Sequence, residues 1–101
     1  MNVNVHSIHF DADVKLIQYI QDRLGKLEQF HDRILSAEVF LRLEHDSQGR
    51  ENKIVEVKLA VPGKDLFAKR NAKTFEEATD MAAEALRRQV LKAKPRMRKA
   101  S

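Results

Sequence analysis

Hydrophobic and polar residues alternate in four segments of the chain, and this pattern predicts four β-strands. The segments cover residues 2–6, 37–44, 55–61 and, with a less regular alternation, 66–72. A period of two residues directs the apolar side chains to one face of a strand. The polar loop around Gly49 predicts an antiparallel hairpin between the second and third strands, and Pro62-Gly63 ends the third strand.

Two further segments repeat their apolar residues at helical spacing. From Val14 to about Phe30, leucine and isoleucine recur every three or four residues behind Asp13, a favourable N-cap. Gly25 lies inside this helix, and we expect it to mark a close approach to the sheet. Thr74 caps a second helix that Pro95 ends, with acidic residues in its first half and basic residues in its second. That order suits the helix dipole whatever the function of the protein.

The elements follow the order strand, helix, three strands, helix. A strand–helix–strand connection is right-handed and makes the first two strands parallel neighbours. Because each strand has only one apolar face, both helices should cover the same side of the sheet. The sequence therefore predicts an α+β fold, a two-layer β-α-β-β-β-α sandwich with a four-stranded mixed sheet. We assign residues 1–95 to this domain and residues 96–101 to a flexible basic tail.

The positive charge of the chain is concentrated at its C-terminal end. Residues 85–101 carry seven Lys and Arg and no acid, whereas the other 84 residues hold twelve Lys and Arg against fifteen Asp and Glu. Such an end is typical of polyanion-binding proteins, and nucleic acid is the commonest polyanion. On the second helix the basic residues are Arg87, Arg88 and Lys92.

Basic residues also follow one side of the predicted first helix. Lys15, Tyr19, Arg23 and Lys26 fall at i, i+4, i+8 and i+11, beside the apolar face. If the helices pack side by side, their basic residues can form one surface, on which Tyr19 is available to stack a base or to pack against the tail. A charged helix face is also the ordinary solvated face, and Asp22 and Glu28 strengthen that interpretation for the first helix.

The fourth strand leaves the direction of its arginine open. If Leu66 and Ala68 face the helices, alternation places Arg70 on the same covered face. We therefore expect either a local bulge or an Arg70 side chain that reaches past the sheet margin. Lys58 and Lys69 are expected on the open face or the edge, where basic residues commonly protect against aggregation.

No pattern in the sequence indicates catalysis or cofactor binding. The chain has no cysteine, its three glycines are dispersed, and its serines lie outside any nucleophile-elbow context. The histidines lack ligand spacing, and we interpret them as surface or turn residues: His6, His9, His31 and His45. The sequence thus predicts no enzyme, metal, cofactor or small-molecule substrate. It also predicts no membrane span or signal segment, which favours the cytoplasm.

Two motifs resemble the ribosome hibernation-promoting factor family, which includes the ribosome-associated inhibitor and sigma-54 modulation proteins. Residues 26–34, Lys-Leu-Glu-Gln-Phe-His-Asp-Arg-Ile, are similar to the family's helix-to-strand junction. Residues 88–94, Arg-Gln-Val-Leu-Lys-Ala-Lys, resemble its closing helix. The order of elements agrees as well, so the resemblance covers about residues 1–95.

The resemblance implies a fold similar to the double-stranded-RNA-binding fold, with an added first strand. It also implies a translation factor that occupies the channel for messenger RNA and transfer RNA on the small ribosomal subunit and preserves idle ribosomes, often as dimers. Its partners would be ribosomal RNA and neighbouring ribosomal proteins, and we expect a monomer off the ribosome. The family's RNA-contacting residues fall on Arg23, Lys26, Arg88, Lys92 and Lys94; Arg87 is added from its place in the basic run.

The chain departs from the family pattern at several positions. Ala85 stands where relatives often have lysine, Glu76 stands where an aromatic residue is usual, and the fourth strand is more basic than expected. The chain ends soon after its last helix, so we expect the short form, without a C-terminal dimerisation domain. The alternative hypothesis is a protein-interaction module whose basic helix docks an acidic partner.

Overall fold

Four strands and two helices occur in the predicted order in the computed structural model, which describes residues 1–93. They are β1 (Asn2–Ser7), α1 (Val14–Gly25), β2 (Ser36–His45), β3 (Glu51–Val61), β4 (Lys64–Ala72) and α2 (Phe75–Ala93). The sheet order is β1-β2-β3-β4, with β1 parallel to β2 and the other neighbours antiparallel. The predicted α+β fold is confirmed. Lys94, Pro95 and the tail at 96–101 lie outside the described residues.

The alternation of the strands places one row of apolar residues after another against the helices. Val57 pairs with Val39 on β2 and with Ala68 on β4, and all three are buried. From the helices, Ile20 and Leu86 complete this cluster with no exposed surface. One apolar layer between the sheet and both helices therefore forms the core.

Both hairpin connections are explained by local turn chemistry. The Asp46 carboxylate accepts hydrogen bonds from the backbone N–H groups of Gln48 and Arg50, each at 2.9 Å. Gly49 and Gly63 have φ of 81° and 88°, left-handed values that glycine adopts without steric cost. These turns join β2 to β3, where the predicted antiparallel hairpin is confirmed, and β3 to β4, which form a second antiparallel hairpin.

The first helix differs from its prediction at the C-terminal end. The α-helix ends at Gly25, short of Phe30, and the chain continues as a 3₁₀ turn over Lys26–Gln29. The expected close approach at Gly25 is wrong, since a Cβ there would meet nothing within 4 Å. The N-caps are confirmed: Asp13 accepts from the Lys15 N–H at 3.4 Å, and Thr74 Oγ1 accepts from the Glu77 N–H at 3.0 Å.

A glutamine from each helix reaches the backbone of an outer strand. Gln21 of α1 donates to the Val3 carbonyl at 3.4 Å, and Gln89 of α2 donates to the Phe67 carbonyl at 2.8 Å. Unpaired backbone groups on edge strands promote association with other chains, so these contacts help to protect the sheet edges. Within residues 1–93, no helix is both long enough and apolar enough to cross a membrane.

Candidate nucleic-acid interface

Two side chains of α1 converge on one carboxylate of α2. The Tyr19 hydroxyl donates to Asp80 Oδ1 at 2.6 Å, and Arg23 Nε donates to the same oxygen at 3.1 Å. The hydrogen bond to the Asp80 carboxylate, followed by partial burial, raises the pKa of Tyr19 above its ordinary value. Tyr19 and Arg23 are therefore both tied to α2 through the Asp80 carboxylate.

A second arginine is held on α2 itself. Arg87 donates to Glu84 Oε2 from Nη2 at 2.6 Å and from Nε at 3.1 Å. The Arg87 guanidinium carbon also lies 5.9 Å from the centre of the Phe30 ring, which follows the 3₁₀ turn. This aromatic contact is within the range of a cation–π interaction. Arg87 is thus fixed between a carboxylate of its own helix and an aromatic ring of the neighbouring segment.

Glu84 lies in the positive field of several arginines. The hydrogen bond from Arg87 is the main cause that lowers the pKa of Glu84, and the charges of Arg87, Arg88 and Arg23 lower it further. The same hydrogen bond raises the pKa of Arg87. The Glu84 carboxylate and the Arg87 guanidinium group therefore remain ionised near neutral pH. Arg23 of α1 and Arg88 of α2 are both close enough to affect the Glu84 carboxylate.

An open groove with a volume of about 460 Å³ lies over the exposed side of α2. Its lining consists of Arg23, Arg70, Asp80, Met81, Glu84 and Arg88. The groove joins side chains from α1, β4 and α2, so three guanidinium groups and two carboxylates share one solvent-exposed surface. Such a surface can bind phosphate groups through forked N–H donors.

Arg70 belongs to this groove although the sequence did not place it among the site residues. The pairing of β4 with β3 continues without interruption through Val55–Arg70 and Lys53–Ala72, so the expected bulge is wrong. Arg70 is half-exposed, lines the groove, and donates from Nη1 to the Lys69 carbonyl at 2.8 Å. Its side chain thus keeps contact with solvent without a bulge, which agrees with the other expectation, that it extends outward from the sheet. The sequence feature that could have indicated Arg70 as a site residue is an arginine that alternation places on the covered face near the end of a strand.

The predicted site residues occupy different parts of this surface. Arg23 and Arg88 line the groove, and Arg87 packs toward Phe30. Lys92 is exposed one turn beyond Arg88, and Lys26 is exposed in the 3₁₀ turn after α1; neither lines the groove. The remaining member of the predicted set, Lys94, is outside residues 1–93.

The open face of the sheet has a different electrostatic character. His6 Nε2 lies 2.7 Å from Glu38 Oε1, and the His6 ring stacks on Phe40 with 4.9 Å between centroids. Hydrogen bonds from His6 and then Asn4 lower the pKa of Glu38. Arg42 pairs with Glu56 on the same face. Acidic and basic side chains are therefore paired on this face, whereas in the groove three arginines (Arg23, Arg70 and Arg88) outnumber two acids.

The histidines of the described chain do not assemble a metal site. Residues 1–93 contain no group of three or more His, Cys, Asp or Glu side chains placed to hold a metal ion. His31 lies in the turn before β2 but is only 5% exposed, with Nδ1 accepting from the Arg33 N–H at 3.1 Å. The His31 side chain therefore closes this turn. Of the two positions that the sequence suggested, surface or turn, it occupies the turn and is buried.

The sequence profile of the family described as "Sigma 54 modulation protein / S30EA ribosomal protein" matches residues 3–98. The chain belongs to this family. A relative from Azotobacter vinelandii, named "Ribosome hibernation promoting factor", is 30% identical over 94 residues, which are 93% of this chain and 83% of the relative. A relative of the same name from Pseudomonas putida is 29% identical over 94 residues, 93% of this chain and 87% of the relative. The family resemblance of the two motifs is thus confirmed.

A solved structure shows the same fold. The N-terminal domain of Thermus thermophilus Protein Y superposes with a TM-score of 0.79 at 22% sequence identity, covering 91% of this chain and 98% of that domain. The two structures therefore share the same fold.

Proposed function

We propose that this protein is a ribosome hibernation factor that binds the small ribosomal subunit in the channel for messenger RNA and transfer RNA. Occupation of that channel inhibits translation and stabilises idle ribosomes, including dimerised ones. Family membership and the name of the relatives from A. vinelandii and P. putida support the ribosome as partner. The observation that carries the proposal is the groove in which Arg23, Arg70 and Arg88 converge on the exposed side of the helices.

The chemistry of the groove suits a folded RNA backbone. Ribosomal RNA presents a dense phosphate surface that proteins recognise through shape and backbone charge more than through base sequence. A guanidinium group offers a planar fork of N–H donors that matches two phosphate oxygens. Because phosphate neutralisation releases counterions, affinity for the subunit should fall steeply as the salt concentration rises.

The proposed RNA contacts extend beyond the groove on both sides. The set comprises Arg23, Lys26, Arg87, Arg88, Lys92 and Lys94, to which the geometry adds Arg70. The side chains at 88 and 92 lie one helical turn apart on α2 and are both exposed. They are available to phosphates without a change in the fold, whereas Arg23 and Arg87 must share their donors with Asp80 and Glu84.

The proposed mechanism is occupation of a channel and involves no catalytic step or cofactor. The protein acts in the cytoplasm as a monomer when it is off the ribosome. On the subunit it contacts ribosomal RNA and the ribosomal proteins that border the channel. The acidic first turn of α2, with Glu76 and Glu77, then faces away from RNA or toward a basic protein surface.

The test is a double charge reversal on α2, Arg88→Glu with Lys92→Glu. Both residues are exposed, so the variant should fold normally but no longer co-sediment with small ribosomal subunits. The matched control reverses Lys58 and Lys64, which are exposed away from the groove and change the net charge equally. Undiminished sedimentation of the Arg88/Lys92 variant contradicts the proposed surface.

A further inference from the structure

Two carboxylates lie within the surface that is proposed to bind RNA. Asp80 pairs with Arg23, and Glu84 pairs with Arg87. The Asp80 side chain is 47% exposed and that of Glu84 is 45% exposed. Ion pairs this accessible to water contribute little to folding stability, so the pairs with Arg23 and Arg87 do not by themselves account for acids among these arginines. Asp80 also links α1 to α2 through the Tyr19 hydroxyl, whereas Glu84 has no such contact among the described residues.

The carboxylates reduce the attraction of this surface for any polyanion. Glu84 is held in its ionised form by the hydrogen bond from Arg87 and by the charges of Arg87, Arg88 and Arg23. Each ionised acid cancels one positive charge where an RNA backbone would lie. Non-specific binding depends on the number of phosphates that a protein neutralises, so two fewer net charges weaken it substantially.

The same contacts fix the direction of the guanidinium groups. Asp80 accepts from Arg23 through Nε, and Glu84 accepts from Arg87 through Nε and Nη2, in each case at one carboxylate oxygen. A guanidinium group has five N–H donors, so each arginine retains donors for another acceptor. Because these side chains are already held in place, they lose less conformational freedom when a phosphate binds at a matching position.

We infer that Asp80 and Glu84 are specificity-determining residues, which weaken binding to unstructured polyanions and orient Arg23 and Arg87 toward one folded RNA surface. A flexible strand gains little from oriented donors and meets the carboxylates as repelling charges. A folded surface whose phosphates match the remaining donors gains from the orientation. This inference rests on the proposed function, because it requires a folded RNA target on the same surface.

The test is the substitution Glu84→Gln in the full chain, measured with poly(U) RNA and with purified small ribosomal subunits over a range of salt concentrations. Removal of one negative charge should tighten poly(U) binding about 5-fold near 0.1 M salt and steepen the slope of log K against log salt by about 0.7. The affinity for small subunits should rise less or fall, so the ratio of specific to non-specific affinity decreases.

The control is Glu77→Gln, which removes the same charge from an exposed position about 10 Å along the same helix. Equal poly(U) binding by the two variants, or subunit binding that tightens as much as poly(U) binding, overturns the inference. Thermal unfolding of both variants verifies the fold. Failure of the proposed ribosome binding is a separate result. It would be seen when the Arg88/Lys92 variant still co-sediments with small subunits, and it does not change the comparison of poly(U) binding between Glu84→Gln and Glu77→Gln.

Discussion

Replacement of Arg70 by alanine tests whether binding to the small subunit depends on the position of an arginine in the groove or only on the net charge of the protein. Lys69 and Arg70 are adjacent in β4 but project to opposite faces of the sheet. Arg70 lines the groove with Arg23 and Arg88, whereas Lys69 does not line it and alternates to the exposed, open side of the sheet. An account based on net charge predicts equal effects for Lys69→Ala and Arg70→Ala. The structure predicts that only Arg70→Ala weakens binding to the small subunit.

The size of the effect follows from the loss of one phosphate contact. For a lost contact, the slope of log K against log salt should become shallower by about 0.7 to 0.9, and the affinity near 0.1 M salt should fall about 5- to 8-fold. The free energy of binding then changes by about 1 kcal/mol. Arg70 is half-exposed and its side chain donates a hydrogen bond to the neighbouring Lys69 carbonyl, so the variant should remain folded.

The assay is equilibrium binding of each variant to purified small subunits at four or more salt concentrations, with thermal unfolding as the check on the fold. The expected result is a weaker affinity and a shallower slope for Arg70→Ala, with Lys69→Ala close to the unmodified protein. Equal weakening by both substitutions, or an unchanged affinity for Arg70→Ala, refutes the assignment of Arg70 to the interface.

Two further predictions concern the stability of the fold and the nature of the partner. Gly25 has ordinary helical dihedral angles, φ −59° and ψ −25°, and open space at the Cβ position. Gly25→Ala should therefore stabilise the protein by about 0.5–1 kcal/mol and raise its Tm by a few degrees. A lower Tm for this variant contradicts the prediction. Ribonuclease treatment should disrupt the complex with the small subunit if RNA forms the contact surface, whereas a complex that survives treatment favours an acidic protein partner.

Most of the fold was predictable because its strands and helices obey simple periodicities. In β2 and β3 the alternation is regular, and residues such as Val39 and Val57 face the core as expected. The end of α1 was not predictable from periodicity, because Leu27 continues the apolar pattern and is buried although the backbone changes to a 3₁₀ turn. Over these few residues the α-helix and the 3₁₀ turn repeat their side chains at nearly the same spacing. The apolar pattern therefore does not show where one changes to the other.

The candidate site was only partly predictable. Local charge identified Arg88 and Lys92, because both lie in a basic run on one helix. The contacts of Arg23 and Tyr19 with Asp80 depend on how α1 and α2 are aligned across the core, which no local pattern specifies. Arg70 reaches the groove because β4 ends beside α2, and this also depends on tertiary packing.

The most direct test of the central claim is a sucrose-gradient profile of ribosomes with and without the protein at two salt concentrations. The protein should migrate with small subunits, or with particles that contain them, at low salt, and it should be released at high salt. The Arg88/Lys92 charge-reversal variant should remain at the top of the gradient at both concentrations. Unmodified protein that also remains at the top at low salt contradicts the proposal that the arginine groove binds the ribosome.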